Sequence, residues 1–455
     1  MTPRTGLVLA ALLILLAPAA GAQDLPPDQQ LPPHAAPTQH VEVGQLPALD
    51  TTPQYDPDAA TNAYLARVSG TAREKSDAYT NGGYGLALLN LVYGLAVAGL
   101  LLWLQISARV RDWAEARSRS RIVQAMLYGV IYVSAITAAS LPLSLYEGFF
   151  RQHAYGLSNQ SFADWAGDFA TLFGVTLVAA AIFLPVFYAV LRKARHDWWL
   201  WGAGAAILFM VAAQVIYPLA VAPLFNHYSA LPKGPLKQDI LSLARANGIS
   251  TDIIWLADES RQWKGISANV SGFLGTTRIT LNDNLLSQGT HDEVLAVLGH
   301  EMGHYVMDHT VRLILLMGLV IIAGFAAVAF AFRLATGLFG GNWQVRQPDD
   351  IAGLPLLVAL MSIFLFLATP VTNSIVRSTE AEADLFGVNA VRKPDAFASL
   401  VLKLSPYRKL DPGGIEEALL YDHPSGRNRI AVMTRWKKEH IRDLDIRDTV
   451  AENPH

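Results

Sequence analysis

The sequence predicts a mainly α-helical, polytopic membrane protein that has about six transmembrane helices and a polar lobe with a small β element. Three observations support this fold class. Of the 455 residues, 52% are hydrophobic and 16% are charged, a composition too apolar for an ordinary soluble domain. Six apolar runs reach the length of about 20 residues that a membrane helix needs. A polar interval with mixed helix and strand patterns separates the fourth run from the fifth.

The apolar runs form two groups, four within residues 81–225 and two within residues 311–375. They lie near 84–107, 122–145, 167–191, 199–222, 311–335 and 352–375. Residues 226–310 and 376–455 are predicted to form two lobes outside the bilayer, because neither range contains a run long enough to cross it.

The first 22 residues have the layout of a secretory signal peptide. Arg4 supplies a positive charge, Leu7 to Leu16 an apolar core, and Ala20 to Ala22 a small-residue cleavage site. The alternative is an uncleaved anchor helix, which would raise the number of spans to seven. Residues 23–80 are then an exported segment, and the abundance of Pro, Gln and Asp at its start predicts partial disorder.

The distribution of basic residues predicts the orientation in the membrane. The loop after the first mature span carries five arginines and the loop before the fourth carries three basic residues, whereas the intervening loop, near 147–166, has only Arg151. The positive-inside rule places both basic loops in the cytoplasm, so that both lobes fall on the exported side. Together with the signal peptide, this predicts a bacterial inner-membrane protein whose lobes face the periplasm or exterior.

The first lobe contains three kinds of local pattern. Residues 239–247 predict an amphipathic helix, and residues 253–256 and 279–281 predict short strands. Residues 269–275 are punctuated by glycine and fit either a turn or an irregular edge strand. An exposed strand edge can hold an extended peptide by backbone hydrogen bonds.

Five residues from His300 to His304 spell H-E-x-x-H. Side chains at i and i+4 lie on one face of a helix, so these two histidines can present imidazoles to one metal ion. Glu301 lies beside them and can move protons to and from a water, as in zinc hydrolases. Thr290 and Glu293 stand at capping-box spacing, which predicts that a helix begins shortly before the pattern.

A zinc site with two histidines needs a third protein ligand, and the chain has no cysteine to supply it. The last apolar run leads into an acidic helical segment that contains Glu380, Glu382 and Asp384. Glu380 and Asp384 share one face, whereas Glu382 lies about 200° round the helix. This face can supply one ligand and a carboxylate that orients an imidazole. The residues by themselves do not choose between Glu380 and Glu382 as the ligand.

With these motifs in place, the chain resembles the CAAX prenyl protease 1 family, or type I CAAX prenyl endopeptidases, which are integral-membrane zinc metalloendopeptidases. The pair H-E-x-x-H and E-x-x-A-D is the specific part of the resemblance, and the other pieces are weaker. The matching segments are Asp258-x-Ser260-Arg261, the Asn269 segment, Arg278 to Asp283, Glu293 to His304, Glu380-x-x-Ala383-Asp384, His423-Pro424 and Arg429-Ile430. The resemblance implies one zinc ion per chain.

In detail, the resemblance implies that His300, His304 and Glu380 bind this zinc. It further implies that Glu301 is the general base and then the general acid, and that Asp384 is the partner of a zinc-binding histidine.

For the substrate, the resemblance implies that Asn269 aligns the peptide backbone. His423 and Arg429 would stabilise the tetrahedral oxyanion or hold a substrate carboxylate. The chain departs from the family pattern at Val270, where alanine is usual, and at Asn428, where an acid is common. It also departs in topology, because the family has seven spans and a cytosolic active site. The use of prenylated substrates therefore stays open.

The sequence thus predicts a membrane zinc metalloendopeptidase that hydrolyses peptide bonds of peptides or proteins. Two alternatives stay open: an inactive transporter or scaffold that retains the zinc fold, and a site-2-type intramembrane protease, whose H-E-x-x-H would lie inside an apolar span. The predicted partners are a peptide or protein substrate and the lipid bilayer. No basic run indicates nucleic-acid binding, and the oligomeric state is not predicted.

Overall fold

A computed structural model of the protein describes residues 55–194, 196–271 and 277–441. The predicted signal peptide at residues 1–22 and the part of the predicted disordered segment before residue 55 lie outside these ranges. In chain order the helices are α1 (Pro57–Ala66), α2 (Gly70–Trp103), α3 (Ile106–Arg117), α4 (Arg121–Ala154), α5 (Phe162–Lys193), α6 (Trp198–Leu224), α7 (Pro235–Ala246), α8 (Asp283–Gln288), α9 (His291–Val306), α10 (His309–Trp343), α11 (Leu354–Val391), α12 (Pro394–Lys403), α13 (Gly414–Leu420) and α14 (Gly426–Glu439). The strands are β1 (Tyr228–Ala230), β2 (Ile254–Ala257), β3 (Ala268–Ser271) and β4 (Arg278–Asn282).

Six of the described helices are long and apolar enough to cross a membrane, which confirms the predicted number of mature spans. They are α2, α4, α5, α6, α10 and α11. Large apolar side chains, such as Leu208, Phe330 and Leu367, are exposed on their outer faces, as expected of surfaces that contact lipid. Inside the bundle, Tyr188, Phe332 and their neighbours form a continuous buried core.

The basic loops and the polar lobes lie at different ends of the bundle. At one end, α3 connects α2 to α4, and its Arg111 is bound to Asp350, which precedes α11, at 2.6 Å. α4 runs from this end to the opposite end and α5 runs back. The C-terminal end of α5, with Arg192 and Lys193, therefore lies at the same end as α3. Both polar lobes lie at the opposite end, where α1 packs against α12 and α14 through Tyr64 and Leu65. The basic loops and the lobes are therefore at opposite ends of the bundle.

The first lobe is a four-stranded sheet with α7 and α9 packed against it. The strand order is β1-β2-β4-β3; β2 and β4 are parallel, and the two outer pairs are antiparallel. This arrangement confirms the two predicted strands. The described residues of the 269–275 region, 269–271, belong to the edge strand β3. Ile254, Ile279 and Leu281 alternate into a buried core with Leu298 and Met302 of α9.

The last spanning helix does not end at the bilayer. α11 runs without interruption from Leu354 to Val391, so its last turns project into the lobes and carry Glu380 and Asp384. The predicted apolar run ends near residue 375, and the helix continues through the acidic segment that follows it. Val388 in this extension packs with Ala296 of α9 and Phe397 of α12. α11 therefore belongs to the membrane bundle through its first part and packs against the H-E-x-x-H helix through its last turns.

Candidate metal centre

The H-E-x-x-H pattern lies in the middle of α9, as predicted. The helix begins with a capping box in which Thr290 and Glu293 each bond the other's backbone N–H. Glu293 is 2% exposed and also accepts a hydrogen bond from Lys403 of α12 at 2.6 Å. This buried anchor fixes the start of α9, so the helical turns that carry His300 and His304 have a defined position.

Glycines allow α9 and α11 to approach each other closely. A Cβ on Gly387 would lie 2.8 Å from the backbone nitrogen of His300, and a Cβ on Gly299 would lie 3.1 Å from the carbonyl oxygen of Gly387. Gly303 similarly faces the backbone of Ala383. Small residues at a helix crossing let backbones meet, as in membrane bundles. This crossing brings the acidic face of α11 within reach of the imidazoles.

Three side chains of this crossing converge on one point. His300, His304 and Glu380 each offer an atom, and these atoms all lie within 4.8 Å of one another. Nε2 of His300 lies 3.2 Å from Nε2 of His304 and 3.2 Å from Oε2 of Glu380. Nε2 of His304 lies 3.6 Å from Oε1 of the same carboxylate. Glu382, the alternative ligand, is not part of this group.

The three residues fit a zinc ion. Two nitrogens bound to a tetrahedral zinc at about 2.0–2.1 Å lie roughly 3.3 Å apart, close to the spacing found here. Oε2 of Glu380 is buried yet has no hydrogen-bond partner among the described residues, although two imidazole nitrogens lie 3.2 Å away. An unpartnered buried carboxylate oxygen that faces two nitrogens is the environment a cation satisfies. Three protein ligands leave a fourth position for water.

Glu301 lies on α9 between the two histidines. Burial raises the pKa of its carboxyl group, and the nearby histidines oppose this rise. A carboxyl whose pKa is raised toward neutrality is suited to accept and then return a proton.

Asp384 lies behind His300, one helical turn beyond Glu380. Its Oδ1 lies 2.8 Å from Nδ1 of His300. Arg429 of α14 donates to both oxygens of Asp384, through Nε at 2.8 Å and Nη2 at 2.6 Å. Both residues are buried. The carboxylate is thus fixed by a two-point ion pair and faces the ring of His300.

His423 approaches the centre from the loop between α13 and α14. Its Nε2 lies 3.2 Å from Oε2 of Glu380, and its Nδ1 lies 2.9 Å from Oδ1 of Asp422. Burial, together with Arg408, lowers the pKa of His423 to about 4. Nε2 of the ring points into the centre, beside Glu380.

Asn269 lies apart from this cluster, on the edge strand β3. It is opposite Thr280 of β4, and its side chain is exposed. Among the described strands β3 is at the edge of the sheet, and it packs against α9, the helix that carries the histidines.

Sequence reasoning did not identify Asp422 as a residue of the centre. Asp422, which belongs to no motif, orients His423. For His309, which follows the H-E-x-x-H pattern, the sequence left open either a supporting role or a solvated helix end; it lies 3.0 Å from His304. The spacing of Gly299 and Gly303, one turn apart on the histidine helix, was an available signal of a close helix crossing.

Two family models match the chain. The model of peptidase family M48 matches residues 230–437, and the model of the CAAX prenyl protease N-terminal region, described as five membrane helices, matches residues 58–227. The described part of the second range contains four helices long enough to cross a membrane.

Individual proteins agree with these matches. An uncharacterized metalloprotease, YhfN, of Bacillus subtilis is 28% identical over 73% of this chain and 78% of its own length. The CAAX prenyl protease 1 homolog of Oryza sativa subsp. japonica is 29% identical over 68% of this chain and 72% of its own. CAAX prenyl protease 1 of Saccharomyces cerevisiae is 25% identical over 69% and 73%.

A solved structure shows the same fold. The crystal structure of S. mikatae Ste24p has a TM-score of 0.68 and covers 83% of this chain and 95% of that chain, at 21% sequence identity. The two family models leave few residues between 58 and 437 unmatched. This chain is therefore an integral membrane metallopeptidase; its residues 230–437 match peptidase family M48, and the chain as a whole is similar to CAAX prenyl protease 1.

Proposed function

We propose that the protein is a zinc endopeptidase in which His300, His304 and Glu380 hold one zinc ion and Glu301 moves the proton. One observation carries this proposal: three ligand atoms converge beside Glu301, and the carboxylate oxygen among them is buried without a hydrogen-bond partner in the described residues. Bound zinc would supply a Lewis acid that activates water and polarises the scissile carbonyl.

In the proposed reaction, the chain's own groups manage the proton and the developing charge. Glu301 accepts a proton from the attacking water and later donates it to the leaving amine. Asp384, held by Arg429, keeps the ring of His300 in place. His423 lies where it can stabilise the oxyanion. Because two nitrogens of Arg429 are bound to Asp384, we assign Arg429 to positioning that carboxylate rather than to holding a substrate carboxylate.

The proposed substrate is an extended peptide that adds to the open edge of β3. Backbone hydrogen bonds along such an edge tolerate many sequences, and Asn269 projects from it to align the chain. Two of the named relatives are CAAX prenyl proteases, but we propose that both lobes of this protein face the exported side of a bacterial inner membrane. Prenylated CAAX proteins are not expected in that compartment.

The orientation can be tested with reporter fusions after residues 115 and 440. These positions lie at opposite ends of the bundle, so the two fusions should report opposite compartments, with residue 115 in the cytoplasm. A cytoplasmic signal from the fusion at residue 440 would reverse the proposed orientation and make prenylated substrates accessible.

The activity itself can be tested with purified full-length protein in detergent. Wild type and Glu301→Gln should bind zinc equally, whereas only wild type should cleave an unstructured protein. Retained cleavage by the variant would overturn the role of Glu301, and absence of zinc from wild type would overturn the metal site. Loss of cleavage in wild type with bound zinc would instead favour the inactive scaffold. The position of α9 outside the six spanning helices argues against a site-2-type protease.

A further inference from the structure

A buried histidine lies behind His304, on the side away from the proposed metal position. His309 is 1% exposed, and its Nδ1 lies 3.0 Å from Nδ1 of His304. Its Nε2 lies 3.2 Å from Oε2 of Glu382. Arg312 donates to both oxygens of Glu382 at 2.8 Å. Four side chains thus form one row from the centre to the surface.

The turn between α9 and α10 builds this row. α9 ends at Val306 and α10 begins at His309, so only two residues join the helices. Asp308 in this turn has a φ of 52°, a left-handed conformation that aspartate tolerates better than most residues. The sharp reversal returns His309 onto the last turn of α9. Glu382 meets it from α11, on the helix face that points away from Glu380.

The positions of the four side chains determine which ring nitrogens of His304 and His309 carry a proton when a metal ion is bound. A metal ion at Nε2 of His304 leaves Nδ1 as the only place for the ring proton, which can then be donated to Nδ1 of His309. His309 can accept it only if its own proton is on Nε2, where Glu382 accepts. Arg312, as a donor, holds Glu382 as the acceptor at the end of the row.

We propose that His309 is a positioning residue that fixes the ring of His304 for the metal, and that Glu382 and Arg312 fix the tautomer of His309. This inference rests on the proposed function, in which His304 binds the metal. The row parallels the one behind His300, because both end in a carboxylate–guanidinium pair. Partners of this kind commonly change metal affinity by about 10- to 100-fold when removed.

The test is zinc affinity, measured by competition with a fluorescent chelator on purified full-length protein. His309→Leu should weaken zinc binding by about 10- to 100-fold, and Glu382→Gln should weaken it by less. The double variant should lose no more than His309→Leu alone, because Glu382 acts through His309. His291→Leu is the matched control. This histidine is exposed at the start of α9 and contacts Asp239, so its replacement should leave zinc affinity unchanged.

Wild-type zinc affinity in His309→Leu would overturn the inference and leave the proposed function standing, whereas a wild type that binds no zinc would overturn the proposed function. If the double variant lost zinc affinity by the sum of the two single losses, Glu382 would not act through His309. If His309→Leu shows no cooperative thermal unfolding, Glu382→Gln and Arg312→Gln carry the test, because both side chains are partly exposed at the surface. Unchanged zinc affinity in both would then overturn the inference.

Discussion

Gly387 of α11 faces the backbone nitrogen of His300 so closely that a Cβ at Gly387 would lie 2.8 Å from that nitrogen. The two helices that carry the proposed metal ligands therefore meet backbone to backbone. Real Cβ atoms do not approach a backbone atom so closely, and a backbone nitrogen cannot rotate away as a flexible side chain would.

The first prediction is that Gly387→Ala separates α9 from α11. We expect a loss of about 1–3 kcal/mol in stability, as for overpacked interiors, and weaker zinc binding because Glu380 moves away from the imidazoles. Thermal unfolding and zinc competition measure the two effects. Gly85→Ala on α2 is the control, because a Cβ there would meet nothing within 4 Å. A Gly387→Ala protein with wild-type zinc affinity would contradict the importance of the crossing.

The second prediction separates the two glutamates on α11. Glu380→Ala should abolish stoichiometric zinc binding, because it removes one of three converging ligands. Glu382→Ala should still bind one zinc per chain at saturating metal, since its carboxylate contacts His309 and Arg312 instead. Elemental analysis after removal of excess metal gives the result. The reverse pattern would assign the third ligand to Glu382.

The third prediction concerns pH. Burial lowers the pKa of His300, but Asp384 and Glu380 outweigh this effect and raise the pKa to about 10 in the metal-free protein. Zinc must displace that proton, so apparent zinc affinity should fall as the pH decreases below 10, by about tenfold per unit. Chelator competition between pH 7 and 9 measures the slope.

Asp384→Asn provides the control for this slope, because it removes the strongest of the contacts that raise the pKa of His300. The dependence of zinc affinity on pH should become shallower in this variant. An equal slope in both proteins would show that another group releases the proton.

The fourth prediction concerns the ion pair between Arg429 and Asp384. Arg429→Met leaves a buried carboxylate without its cation, and we expect a loss of about 3–5 kcal/mol in stability. Arg435→Met on the same helix is the matched control, because Arg435 pairs with Asp58 at 3.6 Å with both side chains largely exposed. Such surface pairs contribute at most about 1 kcal/mol. Thermal unfolding in detergent compares the two variants, and similar losses would contradict a structural role specific to Arg429.

Much of the fold follows from local patterns in the sequence. Runs of apolar residues determine the six described spans, because an apolar helix of this length is stable only in the bilayer or in a buried core. The start of α9 is set by Thr290 and Glu293, whose hydrogen bonds are confined to one helical turn. The placement of two imidazoles on one face is likewise local, because helical periodicity alone determines it.

Contacts between segments that are distant in the chain could not be predicted in this way, because no local sequence pattern specifies them. The sequence left Glu380 and Glu382 as alternatives, and the approach of α11 to α9 placed Glu380 beside the imidazoles. That approach depends on glycines 84 or more positions apart in the chain, whose small size matters only when the two backbones meet. The row through His309 likewise exists only because a two-residue turn folds α10 back on α9. The sequence by itself therefore determined the membrane helices and the H-E-x-x-H chemistry, whereas tertiary packing decided which carboxylates and histidines complete the centre.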